Sequence, residues 1–71
     1  MNEIKKVFYD LGQKIRKIRK EKNITIKELS LKTGININYL YKVERGKAFG
    51  ICIDRLGLIA SCLEVRVYEL F

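Results

Sequence analysis

Apolar residues recur at helical spacing along most of this 71-residue chain, so their pattern predicts helices rather than strands. In the first 22 residues, five of them stand four, three, four and three positions apart, on one stripe of a helix. The stripe consists of Ile4, Phe8, Leu11, Ile15 and Ile18. It predicts a first helix from Asn2 to Lys22, with Asn2 as N-cap, Asn23 at the end and a local weakening at Gly12.

A second, shorter helix is predicted from its terminal residues. Thr25 and Glu28 have the spacing of a capping box, so a helix should run from about Ile26 to Thr33. Gly34 suits the positive φ with which the chain would leave that helix, because glycine has no Cβ.

A third helix should follow at once, from about Ile37 to Arg45. Asn36 can serve as its N-cap and Gly46 can end it. Two helices joined through a glycine turn, here at about residues 25–46, are the helix-turn-helix. That unit places its second helix in the major groove of DNA.

The last third of the chain predicts two more helices after a loop that reaches about Ile51. The inward residues of the fourth helix should be Ile53, Leu56, Ile59, Ala60 and Leu63. The alternation in residues 65–71 could form a strand, but a lone strand has no partner, so we expect a fifth short helix. Its inward residues should be Val67 and either Leu70 or Phe71. The sequence thus predicts one compact all-α domain of five helices over residues 1–71.

The distribution of charged residues indicates what kind of partner the domain could bind. The net charge is +7, and the first 22 residues carry eight Lys and Arg against three acids. From Ala48 onward there are two basic residues against three acidic ones. The first two-thirds should therefore face a polyanion such as double-stranded DNA. A solvated basic face is the alternative, and the first helix could also lie on an anionic membrane, although its apolar stripe is narrow for that.

The sequence lacks the residues that several other classes of function need. There is no apolar run long enough to span a membrane and no evident secretory signal, so we expect a cytoplasmic protein. Without His, the chain lacks ligands for a structural zinc site. No catalytic set and no phosphate-binding glycine loop appear in the sequence. We therefore expect no cofactor, no small-molecule ligand and no enzymatic activity. Cys52 and Cys62 should be buried or half-buried thiols, with a redox switch as the alternative.

The third helix supplies the candidate base-reading residues. With Leu40 at the centre of its buried face, Asn38 and Lys42 lie nearly opposite, because each residue turns the helix by about 100°. Asn can pair with adenine, Lys can reach guanine acceptors, and an apolar side chain can touch a thymine methyl. Ile37 and Tyr41 complete the set, although Ile37 could instead face the core and Tyr41 could simply pack on the surface.

Candidate phosphate contacts surround that face. They are Thr25, Lys27, Asn36, Tyr39, Arg45 and Lys47, with Lys14 or Lys17 as additions from the first helix. Such contacts add affinity and salt dependence without selecting sequence. Asn36 is first of all a cap, and the ring of Tyr39 could instead close the edge of the core.

The sequence resembles the lambda-repressor and Cro-like helix-turn-helix domains, also called the Xre type, from Leu11 to Phe71. The start that is typical of the family, LGxxIRxxRxxxxxT, is LGQKIRKIRKEKNIT here. The later pieces are Leu29, Ser30 and Gly34, then VERG at residues 43–46, then Leu56, Ile59, Ala60 and Leu63, then ELF at residues 69–71. Ile26 departs from the family's common Gln, which bonds phosphate, and the loop after Gly46 lacks the common Pro.

The resemblance implies a five-helix domain that binds operator DNA, usually as a dimer. It also implies a structural salt bridge between Arg19 and Glu44. We therefore expect a stand-alone transcription regulator of the phage-repressor or restriction-modification-controller type, dimerising through its C-terminal helices. The candidate apolar contacts there are Val65, Val67, Tyr68 and Phe71. The alternative is a protein-interaction module, of antitoxin or adaptor type, that uses the same fold.

Overall fold

The computed structural model describes residues 3–71 and contains four α-helices followed by one 3₁₀ turn. The helices are α1 (Glu3–Glu21), α2 (Ile26–Thr33), α3 (Ile37–Glu44) and α4 (Ile53–Leu63), and the 3₁₀ turn is Val67–Leu70. No strand occurs in the described range, which confirms the all-α prediction. The predicted cap at Asn2 lies outside the described residues.

The prediction of a fifth α-helix is wrong. Residues 67–70 form a single 3₁₀ turn, closed by a bond from the Glu69 amide to the Arg66 carbonyl at 2.9 Å. One turn fixes several backbone dihedrals for few hydrogen bonds, so a short segment gains little from extending as a helix. The turn instead buries Leu70 completely, while Phe71 remains exposed.

The core takes residues from every helix and from two loops. Its fully buried side chains are Ile15, Leu29, Leu40, Ile59, Leu63 and Leu70. Ile53 was expected to face inward but is 65% exposed, because it is the first residue of α4 and lies outside the packed stripe. Cys52 is also exposed, contrary to the prediction, whereas Cys62 is half-buried.

Gly12 sets the contact between α1 and α3. The sequence predicted a local weakening of the helix there, but α1 runs unbroken through Gly12. A Cβ at this position would collide with the carbonyl oxygens of Val43 and Glu44. The absence of a side chain therefore allows the backbones of the two helices to approach each other.

Candidate nucleic-acid interface

Local caps fix the two helices of the helix-turn-helix. The Glu28 amide donates to Thr25 Oγ1 at 3.0 Å, and the Thr25 amide donates to Glu28 Oε1 at 2.8 Å. The hydrogen bond from the Thr25 amide is the main cause that holds the pKa of the Glu28 carboxyl below its ordinary value. Gly34 has a φ of 75°, and Asn36 Oδ1 accepts a hydrogen bond from the Asn38 amide at 2.8 Å. The capping box and both caps predicted from the sequence are present.

The face of α3 that points away from the core carries the candidate base-reading residues. Asn38, Tyr41 and Lys42 are exposed, while Leu40 and Val43 are buried on the opposite side. Ile37 is half-buried, so only part of its side chain is accessible. Three of the four candidates are thus available to a ligand along one helix.

The candidate phosphate contacts divide into two groups. Five of them are exposed around the helix-turn-helix, namely Thr25, Lys27, Asn36, Arg45 and Lys47. Tyr39 differs, because it is half-buried against the core and the Arg55 guanidinium lies 4.7 Å from the centre of its ring. Its ring packs at the edge of the core, and its role as a phosphate contact stays a prediction.

Arg19 joins α1 to the end of α3. Its Nε lies 2.7 Å from Glu44 Oε2, and its second guanidinium nitrogen donates to Glu44 Oε1 at 3.0 Å. The remaining nitrogen donates to the Ile24 carbonyl at 2.8 Å, which ties the same guanidinium to the loop before α2. Hydrogen bonding to Glu44 raises the pKa of Arg19. Glu44 is only 7% exposed, so this pair, joined by two hydrogen bonds, orients α3 rather than offering a charge to a ligand.

A cleft of about 480 Å³ lies between α1 and the C-terminal end of α3, and we call it the α1–α3 cleft. It is lined by Tyr9, Gln13, Arg16 and Arg19 from α1 and by Tyr41, Glu44, Arg45 and Lys47 from α3 and the following loop. Neither Gln13 nor Arg16 is predicted from the sequence as a site residue. Gln13 lies four positions after Tyr9 and Arg16 lies three after Gln13, so the three residues share one face of α1, but no local signal shows that α3 lies against that face.

Neither a metal-ligand cluster nor a membrane-spanning helix is present among the described residues. Residues 3–71 contain no cluster of three or more Cys, Asp and Glu side chains that could hold a metal ion. Over the same residues, no helix is both long and apolar enough to cross a membrane.

The sequence matches a known family over most of its length. Residues 12–71 match the family described as helix-turn-helix domain. The HTH-type transcriptional regulator SlrR of Bacillus subtilis (strain 168) is 36% identical over 61 residues, which are 86% of this chain and 40% of SlrR. The HTH-type transcriptional regulator SinR of that organism is 35% identical over 60 residues, or 84% of this chain and 54% of SinR. The chain therefore spans about half the length of the curated relatives it matches.

A solved structure has the same fold. The restriction-modification controller protein C.AhdI from Aeromonas hydrophila aligns with a TM-score of 0.85 and 26% identity. The alignment covers 90% of this chain and 96% of that one. The relatives named here are transcription regulators and a controller protein, so they lend no support to the interaction-module alternative. As its sequence motifs predicted, the chain belongs to the lambda-repressor and Cro-like family of helix-turn-helix domains.

Proposed function

We propose that this chain is a sequence-specific, DNA-binding transcription regulator that acts in the cytoplasm as one helix-turn-helix unit over residues 1–71. In this proposal α3 enters the major groove, Asn38 and Lys42 read base edges, and the exposed cations around them contact phosphates. The supporting observation is the pairing of an exposed polar face on α3 with a buried attachment through Leu40, Val43 and Glu44. The buried side of the helix packs on the core, while Asn38, Tyr41 and Lys42 on its outer side are exposed.

The direct test is selection of bound sites from random DNA, followed by the same selection with Asn38→Ala and Lys42→Ala. Each variant should lose preference at one or two base positions, because a good base contact is worth about 1–3 kcal/mol of discrimination. Lys32→Ala, which removes an exposed cation at the end of α2, is the matched control and should keep the wild-type preference. Binding that selects no sequence, or identical preferences in all four proteins, would overturn this assignment.

We further propose that the regulator is a homodimer joined through its C-terminal end. Tyr68 is 74% exposed and Phe71 is 63% exposed, next to the half-buried Val65 and Val67. Exposed aromatic residues of this kind suit an interface between copies. A dimer would also match two half-sites about one DNA turn apart.

Sedimentation tests the dimer across a range of protein concentrations. Phe71→Ser should weaken self-association, whereas Leu31→Ser should not, although Leu31 on α2 is as exposed as Tyr68 at 74%. A wild-type monomer at tens of micromolar, where weak dimers still form, would exclude this interface.

A further inference from the structure

The α1–α3 cleft presents hydrogen-bond donors, because the acceptors of the nearby helix end are already occupied. The last four carbonyls of α3 each accept one hydrogen bond: Tyr41 from the Arg45 amide, Lys42 from the Lys47 amide, Val43 from the Gly46 amide and Glu44 from Gln13 Nε2. Both carboxylate oxygens of Glu44 accept from Arg19. A ligand that enters the cleft therefore meets mainly donors.

The cleft also gathers three cations that no described acid neutralises. Arg16, Arg45 and Lys47 line it, and all three are exposed. The salt bridges found within residues 3–71 are Lys6–Asp10 and Arg19–Glu44, and neither uses one of these three. Since Arg19 compensates Glu44, the lining carries an excess of about three positive charges, and an anion is the ligand that suits it.

The position of the α1–α3 cleft beside the exposed face of α3 indicates which anion it would bind. Tyr41 and Arg45 line the cleft and also lie on or beside the exposed face of α3 that carries Asn38 and Lys42. A strand of DNA beside α3 would pass the open side of the cleft. We propose that the α1–α3 cleft binds a backbone phosphodiester of the bound DNA, with Arg16 of α1 as its outer contact.

This inference rests on the proposed function and adds α1 to the DNA-binding surface. Arg16 would fix the position of the duplex without reading its sequence, since a phosphate contact carries no base information. Guanidinium groups suit this role because they can donate two parallel hydrogen bonds to a phosphate.

The test compares Arg16→Gln with Lys32→Gln, which removes the same charge from an exposed site at the end of α2, outside the cleft. Affinity for selected and random DNA is measured from low to moderate salt. Arg16→Gln should weaken both by roughly fivefold at low salt, lower the slope of log affinity against log salt by about one, and leave base preference unchanged. Lys32→Gln should change the slope by much less. Equal slopes for the two variants, or an Arg16→Gln slope equal to that of wild type, would overturn the proposal.

Two further measurements distinguish a loss of the fold, a failure of the proposed function and a failure of the cleft proposal. Thermal melting checks the fold, and because Arg16 is exposed the melting temperature of Arg16→Gln should stay within about 2 °C of wild type. If wild-type protein binds no DNA, the proposed function itself fails. If it binds DNA with an unchanged Arg16→Gln slope, while inorganic phosphate shifts the NMR signals of Tyr9 and Gln13, the cleft serves a free anion and the DNA assignment is excluded.

Discussion

The C-terminal ends of α3 and α4 close with the same hydrogen-bond pattern but use different residues to do so. In both, the chain turns through a left-handed residue, and two successive amides bond back to carbonyls of the last turn. At α3 that residue is Gly46, with a φ of 75°, and at α4 it is Glu64, with a φ of 61°. The pattern alone therefore does not demand glycine.

Packing explains the difference. An ideal Cβ on Gly46 would lie 2.7 Å from the Cα of Tyr9, because α1 passes directly over the end of α3. Glu64 is exposed, so its side chain does not have to avoid a neighbouring helix. The end of α3 is thus shaped by a second helix, whereas the end of α4 is shaped by its own backbone. This contrast predicts that adding a side chain where α1 meets α3 is costly, whereas changes at the exposed end of α4 are mild.

The largest effect is expected from Gly12→Ala. Alanine favours helix by up to about 1 kcal/mol over glycine, but here its Cβ would collide with the carbonyls of Val43 and Glu44. The free energy of unfolding should fall by about 3 kcal/mol or more, as measured by urea denaturation. Gly57→Ala in α4 is the matched control, and it should gain about 0.5–1 kcal/mol because nothing lies within 4 Å of its Cβ. A Gly12→Ala protein as stable as wild type would contradict the packing described for α1 and α3.

Removing Arg19 should be the next most costly change. Arg19→Met leaves the Glu44 carboxylate without its partner in a site where it is almost fully buried. The expected loss of unfolding free energy is about 3 kcal/mol, mainly from the stranded charge. Glu44→Gln combined with Arg19→Met should be more stable than Arg19→Met alone, and denaturation of the four proteins of this cycle measures the coupling. Additive losses would mean that the ion pair contributes nothing.

Gly46→Ala tests whether α1 constrains the C-terminal end of α3 more than the end of α4 is constrained. It adds left-handed strain of about 1 kcal/mol and a clash with the Tyr9 backbone, so a loss of about 2–3 kcal/mol is expected. Glu64→Ala makes no new clash and keeps a side chain at its left-handed position, so its change should stay within about 0.5 kcal/mol. Equal losses in thermal or urea unfolding would show that α1 does not constrain the end of α3.

A small effect of the opposite sign is expected from Glu64→Gly. Glu64→Gly relieves left-handed strain at an exposed helix end, and the gain is partly offset by the greater freedom of glycine in the unfolded chain. The net stabilisation should be about 0.5–1 kcal/mol by urea denaturation. A destabilised Glu64→Gly protein would mean that the Glu64 side chain makes a contact that outweighs its strain.

The sequence predicted the parts of the fold that local chemistry decides. The bounds of α2 follow from the capping box at Thr25 and the glycine turn at Gly34, and both signals lie next to the helix ends that they define. The buried side of α3 follows from its periodicity around Leu40. Membership of the family and the all-α class are confirmed, while the roles of the DNA-contacting residues stay predictions.

Features that depend on two distant segments were missed. Gly12 looks like a weak point in α1 until Val43, 31 positions later, is seen against it. Arg16 looks like one more solvated cation until Arg45 and Lys47 are found across the cleft. The apolar character of Ile53 and Cys52 favours burial, whereas both residues stand at the exposed start of α4.

One side of α3 is buried and anchors the helix, whereas the opposite side is exposed. This difference has a consequence for evolution and for engineering. Within residues 3–71, the side chains of Asn38 and Lys42 form no hydrogen bond or ion pair, while Glu44 and Val43 hold the helix in place. Substitutions at the two outward positions should therefore cost little stability. New target preferences can then accumulate, or be selected in a library, on a scaffold that does not have to be rebuilt for each one.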